Sequence, residues 1–81
     1  MNIKLVEPSG KEESFEGTYV HVLTHTGDMG IFDNHTASML VLKDGPIEIT
    51  TKENTKEIRQ LKGGLLTCDP ENVYVLADHV D

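Results

Sequence analysis

The sequence predicts an all-β fold of many short strands stacked in two sheets, and three observations carry that expectation. Turn-forming residues recur about every eight to twelve positions, at Pro8-Ser9-Gly10, Thr26-Gly27-Asp28, Asp33-Asn34, Asp44-Gly45-Pro46, Glu53-Asn54, Gly63-Gly64 and Asp69-Pro70-Glu71-Asn72. Between them lie runs rich in Val, Ile, Thr and Tyr, residues that suit a pleated, half-buried surface. Within the runs, side chains alternate with the two-residue period of a strand.

Taken in order, the runs are Ile3 to Val6, Thr18 to Thr24, Ser38 to Leu42, Ile47 to Thr51, Leu65 to Cys68 and Val73 to Ala77. In the second, Thr18, Val20 and Val22 face one way and Tyr19, His21 and Leu23 the other. In the last, Val73, Val75 and Ala77 oppose Tyr74 and Leu76. Apolar residues thus lie on both faces, and two packed sheets would cover them. Thr55 to Leu65 is open to two readings. Thr55 could cap a helix with Ile58, Leu61 and Leu65 at helical spacing; alternatively Lys56 to Leu61 is a strand returning across Glu53-Asn54 onto Ile47 to Thr51. The neighbouring strands favour the hairpin. Gly63-Gly64 reads as a strand start where side chains would collide with a crossing segment or meet a positive φ.

The 81 residues suit one domain, residues 1–81 without repeat or linker. A domain of this size buries only about 60% of its unfolded surface, which leaves little room for a deep pocket. The longest apolar run, Met39 to Leu42, is far too short to span a bilayer, and no charged-then-apolar leader opens the chain, so the expectation is a soluble protein that stays where it is made. The single cysteine, Cys68, reads as a buried small hydrophobe. A formal charge of −7, from fourteen acidic and seven basic side chains, opposes binding to nucleic acid or anionic lipid. Lys52, Lys56, Arg59 and Lys62 are interleaved with Glu53 and Glu57 and read as a solvated mixed-charge surface.

The motifs of catalysis and cofactor binding do not occur. No G-x-x-x-x-G-K-[ST] is present to cradle a phosphate. His21, His25, His35 and His79 lack the spacing of a metal site: on one strand His21 and His25 would stand about 13 Å apart, too far to chelate one ion. Neither Cys68 nor Ser9, Ser14 or Ser38 sits in a nucleophile motif. The expectation is therefore a non-enzymatic protein with no cofactor and no metal.

One ordered set of residues goes further. Gly27-Asp28-Met29-Gly30-Ile31-Phe32-Asp33-Asn34-His35 is a Gly-acid-apolar-Gly-Ile-aromatic segment leading to a histidine. It is followed by Leu40 to Lys43 with Gly45 and Ile47 to Ile49, then Gly63-Gly64-Leu65-Leu66, Pro70, Asn72-Val73 and Val75-Leu76-Ala77-Asp78. With Val6, Phe15 and Gly17 upstream, this set resembles the β-sandwich half of the epsilon subunit of the F-type ATP synthase over nearly the whole chain. Asp33-Asn34 stands where the family has Pro-Gly, Thr36-Ala37-Ser38 where it has Ala-Pro-Leu, and the connection from Val22 to Gly30 is about two residues shorter than the family's.

The resemblance implies a flattened sandwich of about ten strands at the foot of the central stalk of a rotary, proton-translocating complex. The partners it implies are the gamma subunit and the c-ring, with the membrane reached only through the complex, on the cytoplasmic face of a bacterial inner membrane. Gly27, Asp28, Met29 and Gly30 would form the c-ring-facing turn, and His35, Leu40, Leu42 and Lys43 would lie on the gamma-facing side. The family usually continues into a two-helix C-terminal domain to which braking of ATP hydrolysis is attributed; residues 1–81 encode neither helix, and the four residues after Ala77 read as a free tail about 14 Å long when extended. The competing reading is a free-standing β-sandwich that binds a ligand such as carbohydrate. Phe15, Tyr19, Phe32 and Tyr74 are the only aromatics for stacking sugars, and there is no Trp.

Overall fold

The computed structural model describes residues 1–81 as nine strands and no helix. They are β1 (Asn2–Val6), β2 (Glu12–Thr24), β3 (Gly27–Phe32), β4 (Ser38–Val41), β5 (Gly45–Thr51), β6 (Lys56–Lys62), β7 (Leu65–Cys68), β8 (Asn72–Leu76) and β9 (His79–Val80). One sheet runs β4-β7-β8-β1-β2 and the other β3-β2-β5-β6-β9. The long β2 serves both, pairing with β1 through its first half and with β3 and β5 through its second. Counted in each sheet, it brings the nine strands to the ten segments expected. The pairings are antiparallel except that β1 lies parallel to β8.

The passage of β2 from one sheet to the other is built at Gly17. The ladder with β5 slips between Gly17 and Tyr19, leaving Thr18 as the extra residue of a bulge, and bulges are how strands turn such corners. A Cβ at Gly17 would lie 2.5 Å from Ile3 Cδ1 and 2.9 Å from the Thr50 carbonyl oxygen, so the corner closes only over a bare backbone. The bulge also corrects the expected alternation. Val20 and Val22 face the core, but Thr18 lies outside it, exposed, because it sits before the register is restored.

Fifteen buried residues form one core between the sheets, with Ile3 and Leu5 from β1, Val20 and Val22 from β2, Ile47 and Ile49 from β5 and Val73 and Val75 from β8 among them. Each pair is spaced by two, as strand geometry demands. Residues 56–62 form a strand, which removes the helical reading of Thr55 to Leu65. Thr55 closes the hairpin turn instead, its carbonyl accepting the Thr51 N–H at 2.9 Å and its hydroxyl 2.7 Å from that of Thr51, while Asn54 takes the positive φ of 64°. Gly63 and Gly64 have φ of 63° and 149°, and a Cβ on Gly64 would come within 3.2 Å of the Leu76 carbonyl, so both parts of the glycine expectation hold.

The residues after Ala77 are not a free tail. Val80 is buried, β9 pairs with the end of β6, and Gln60 and Asp81 exchange backbone hydrogen bonds of 2.9 and 3.2 Å. Sequence pattern missed β9 because two residues are too few to show a period.

Candidate docking surface

The outer face of the β4-β7-β8-β1 sheet is the site that the strand register assembles. When Leu66 and Cys68 of β7 and Val73 and Val75 of β8 point inward, the residues between them must point out. Val41, Leu65, Leu76 and Val6 then lie opposite one another on four successive strands, an apolar row across the sheet. The next row carries Met39, Thr67, Tyr74 and Lys4. Met39 is 66% exposed, Val41 58%, Tyr74 46% and Leu76 45%, so this row and its neighbour form an apolar patch open to solvent. Contiguous apolar side chains open to solvent make this face the candidate docking surface.

The four residues expected on the gamma-facing side fall differently. Leu42 is 3% exposed and belongs to the core, and Leu40 is half-buried against it. Lys43 stands in solvent just beyond β4. Because the two leucines point inward, it is Met39 and Val41, the alternate residues of the same strand, that face outward. The His35 ring is turned in: neither nitrogen reaches solvent or a hydrogen-bond partner. In the segment that follows, the Cys68 thiol is 3.4 Å from the Ser38 hydroxyl and 3.7 Å from the Thr36 carbonyl.

The residues Gly27 to Gly30, expected as a turn, are the start of β3. The turn itself is His25-Thr26, fixed by the Thr24 hydroxyl, which accepts the Thr26 N–H at 3.2 Å and donates to the Gly27 carbonyl at 2.8 Å. β3 is an edge strand paired only with β2, and Asp28 and Met29 are exposed on it. Gly30 is needed for a contact rather than a turn, since the Tyr19 ring lies where its Cβ would be. Tyr19 in turn stacks on Phe32 with ring centroids 4.6 Å apart.

The mixed-charge stretch is not uniformly solvated. Lys52 and Lys56 make exposed pairs with Glu16 and Glu48, but Arg59 points between the sheets, its Nε and Nη2 donating to the two oxygens of Glu13 at 2.9 and 2.8 Å and its guanidinium 5.5 Å from the Phe15 ring centre. No group of three or more His, Cys, Asp or Glu side chains is arranged to hold a metal ion.

The class the fold defines is a small two-layer β-sandwich with an apolar outer face and open edges. More particularly, the chain matches, over residues 1–81, the family described as "ATP synthase, Delta/Epsilon chain, beta-sandwich domain", and it belongs to that family. It is 33% identical over 79 residues to proteins named "ATP synthase epsilon chain" from Neisseria meningitidis serogroup C and Neisseria gonorrhoeae, covering 96% of this chain and 56% of each relative. The chain thus spans little more than half the length of these curated relatives. Among solved structures, its fold is that of chains in the Tetrahymena thermophila mitochondrial ATP synthase central stalk and c-ring (TM-score 0.83, 20% identity, all of this chain and 65% of that one). It is equally that of chains in the Euglena gracilis mitochondrial ATP synthase (TM-score 0.84, 18% identity, 98% of this chain and 51% of that one).

Proposed function

We propose that the chain is a non-catalytic rotor subunit of an F-type ATP synthase that docks on the gamma subunit and the c-ring and so couples proton translocation to ATP synthesis. The observation that carries this reading is the apolar row Val41-Leu65-Leu76-Val6 with Met39 and Tyr74 beside it. A subunit that transmits torque needs a contact that does not slip, and an interface of about 800 Å² per partner with an apolar centre provides one. The patch replaces Leu40 and Leu42 as the gamma-facing apolar contact. Lys43 stays at its rim. Asp28 and Met29, exposed on the β3 edge, remain the side offered to the c-ring, and a cysteine at Asp28 should cross-link to the polar loop of subunit c.

Calorimetry of gamma binding tests the reading. Val41→Lys and Leu76→Lys should each weaken binding at least tenfold while leaving the fold intact, because both side chains are already about half in solvent. Ile58→Lys, at a position 53% exposed on the opposite sheet, should leave binding unchanged. Loss with Ile58→Lys and none with the other two would move the interface to the other face.

A further inference from the structure

The last strand, β9, is fastened to the first turn of the fold by side chains that the docking reading does not use. Glu7 lies between β1 and β2 and is only 8% exposed. Its Oε2 accepts the Val80 N–H at 3.2 Å, and the Val80 carbonyl accepts a hydrogen bond from Lys11 Nζ at 3.1 Å. One turn therefore holds both polar groups of the Val80 backbone, across 73 and 69 residues of sequence. On its other edge β9 pairs with Leu61 and Lys62 of β6. Its release would uncover Val80 and Leu61, both in the core, and the edge of β6.

His79 sits over this fastening. Its Nδ1 is 3.7 Å from Glu7 Oε1 and its Nε2 is 2.6 Å from Asp81 Oδ1. Both contacts end on carboxylate oxygens, which only accept, and only the imidazolium carries a proton on each nitrogen. A neutral ring can donate to one acid and must turn a lone pair on the other. The remaining charges around it are Lys11, 3.8 Å from Glu7 on the far side, and Lys62, the cross-strand neighbour of His79 on β6, whose side chain is exposed.

We propose that β9 is a pH-sensitive latch, closed when a protonated His79 bridges Glu7 and Asp81 and loosened when that ring loses its proton. The inference stands apart from the docking reading, since it concerns only how the sandwich holds its own last strand. It follows that protonation of the ring tightens β9, until pH falls far enough to protonate the carboxylates themselves. Because His79 is about half exposed, the effect is modest.

Amide exchange measured by NMR on the isotopically labelled 81-residue chain tests the latch, with each rate expressed as a protection factor to remove the intrinsic pH dependence. The Val80 protection factor should fall about two- to fivefold as pH rises through the His79 titration, followed on the same samples from its ring carbon shifts. Val75 and Ile49, deep in the core, should not follow it. His79→Gln, at an exposed position that does not threaten the fold, should flatten the Val80 profile. Glu7→Gln keeps an acceptor for the Val80 N–H, removes the charge facing Nδ1 and should shrink the fall. A Val80 profile that tracks Val75 at every pH, or a fall that persists in His79→Gln, would overturn the proposal.

Discussion

Arg59 and Glu13 close the open side of the sandwich with a two-pronged ion pair, at 2.8 and 2.9 Å, whose cation lies over the Phe15 ring. Arg59 comes from β6 and Glu13 from the first half of β2, so the pair ties one sheet to the other where the apolar core runs out. The hydrogen bonds from Arg59, and secondarily its charge, hold the Glu13 carboxyl below its ordinary value of 4.5 despite partial burial. A carboxylate depressed in the folded state stabilises it above the unfolded pKa, and that contribution is lost as pH falls through the folded value. Asp69 works in the same direction at the β7–β8 turn, where the Glu71 N–H and then the Asn72 N–H hold its carboxyl low. Stability measured by urea unfolding should therefore fall as pH drops below about 4.5. Glu13→Gln should blunt the acid fall and cost about 1 kcal/mol at pH 7. Arg59→Lys, which keeps the charge and loses the fork, should cost nearly as much. An acid profile unchanged in Glu13→Gln would show the pair to be idle.

The corner at Gly17 makes a sharper demand. Gly17→Ala would set a methyl 2.9 Å from a backbone oxygen that cannot move without breaking the β2–β5 ladder, and 2.5 Å from the flexible end of Ile3. The expected loss is about 1–3 kcal/mol, seen as an earlier urea midpoint with the same slope. The same change at Gly10, where nothing lies within 4 Å, creates no clash and tests backbone strain alone at φ of 95°. A Gly17→Ala loss no larger than that of Gly10→Ala would mean that the corner has slack.

How much of this was legible beforehand follows from period and length. The inward residues of β5, β7 and β8 follow from alternation alone, and so do the outward Leu65, Tyr74 and Leu76. The same logic applied to β4 yields Met39 and Val41 once Leu40 and Leu42 are assigned to the core, so the exposed apolar patch was within reach of the sequence. Arg59 was not, because a charged side chain in an alternating strand looks solvated until Glu13, forty-six residues away, is brought across from the other sheet. The β9 fastening was hidden for the same reason, its partners being 69 and 73 residues apart. Gly27 to Gly30 was expected as a turn from the family resemblance, whereas these residues open β3 and Gly30 makes room for Tyr19.

His35 separates two roles that sequence resemblance leaves joined. Both ring nitrogens are buried without a partner, and an unsatisfied buried polar group costs about 1–3 kcal/mol. His35→Leu removes that cost at similar bulk and should leave the isolated chain as stable or more stable in urea. A loss of stability beyond about 1 kcal/mol would mean that the ring is satisfied in solution. Gamma binding measured on the same variant should hold if the ring stays turned in, and should fall if docking draws the imidazole out to a partner.

On the proposed rotor role, residues 1–81 alone should couple without braking. They form a body of 26 × 25 × 18 Å with no helix, and their final residues are strapped into β9 by Glu7, Lys11 and β6. Nothing in that body can extend tens of ångströms along the stalk, since even four freed residues would reach only about 14 Å. A brake that works by lodging a long segment against the catalytic subunits therefore cannot be built from residues 1–81 alone, while the proposed rigid contact with gamma and the c-ring needs no such segment. Added to a gamma-containing complex stripped of its epsilon subunit, the 81-residue chain should restore ATP-driven proton pumping and leave the rate of ATP hydrolysis within about twofold. Val41→Lys should restore less pumping at equal concentration, in step with its weaker gamma binding. Strong inhibition of hydrolysis by residues 1–81 alone would mean that the sandwich resists rotation through its own surface, and pumping indifferent to the chain would remove it from the coupling path.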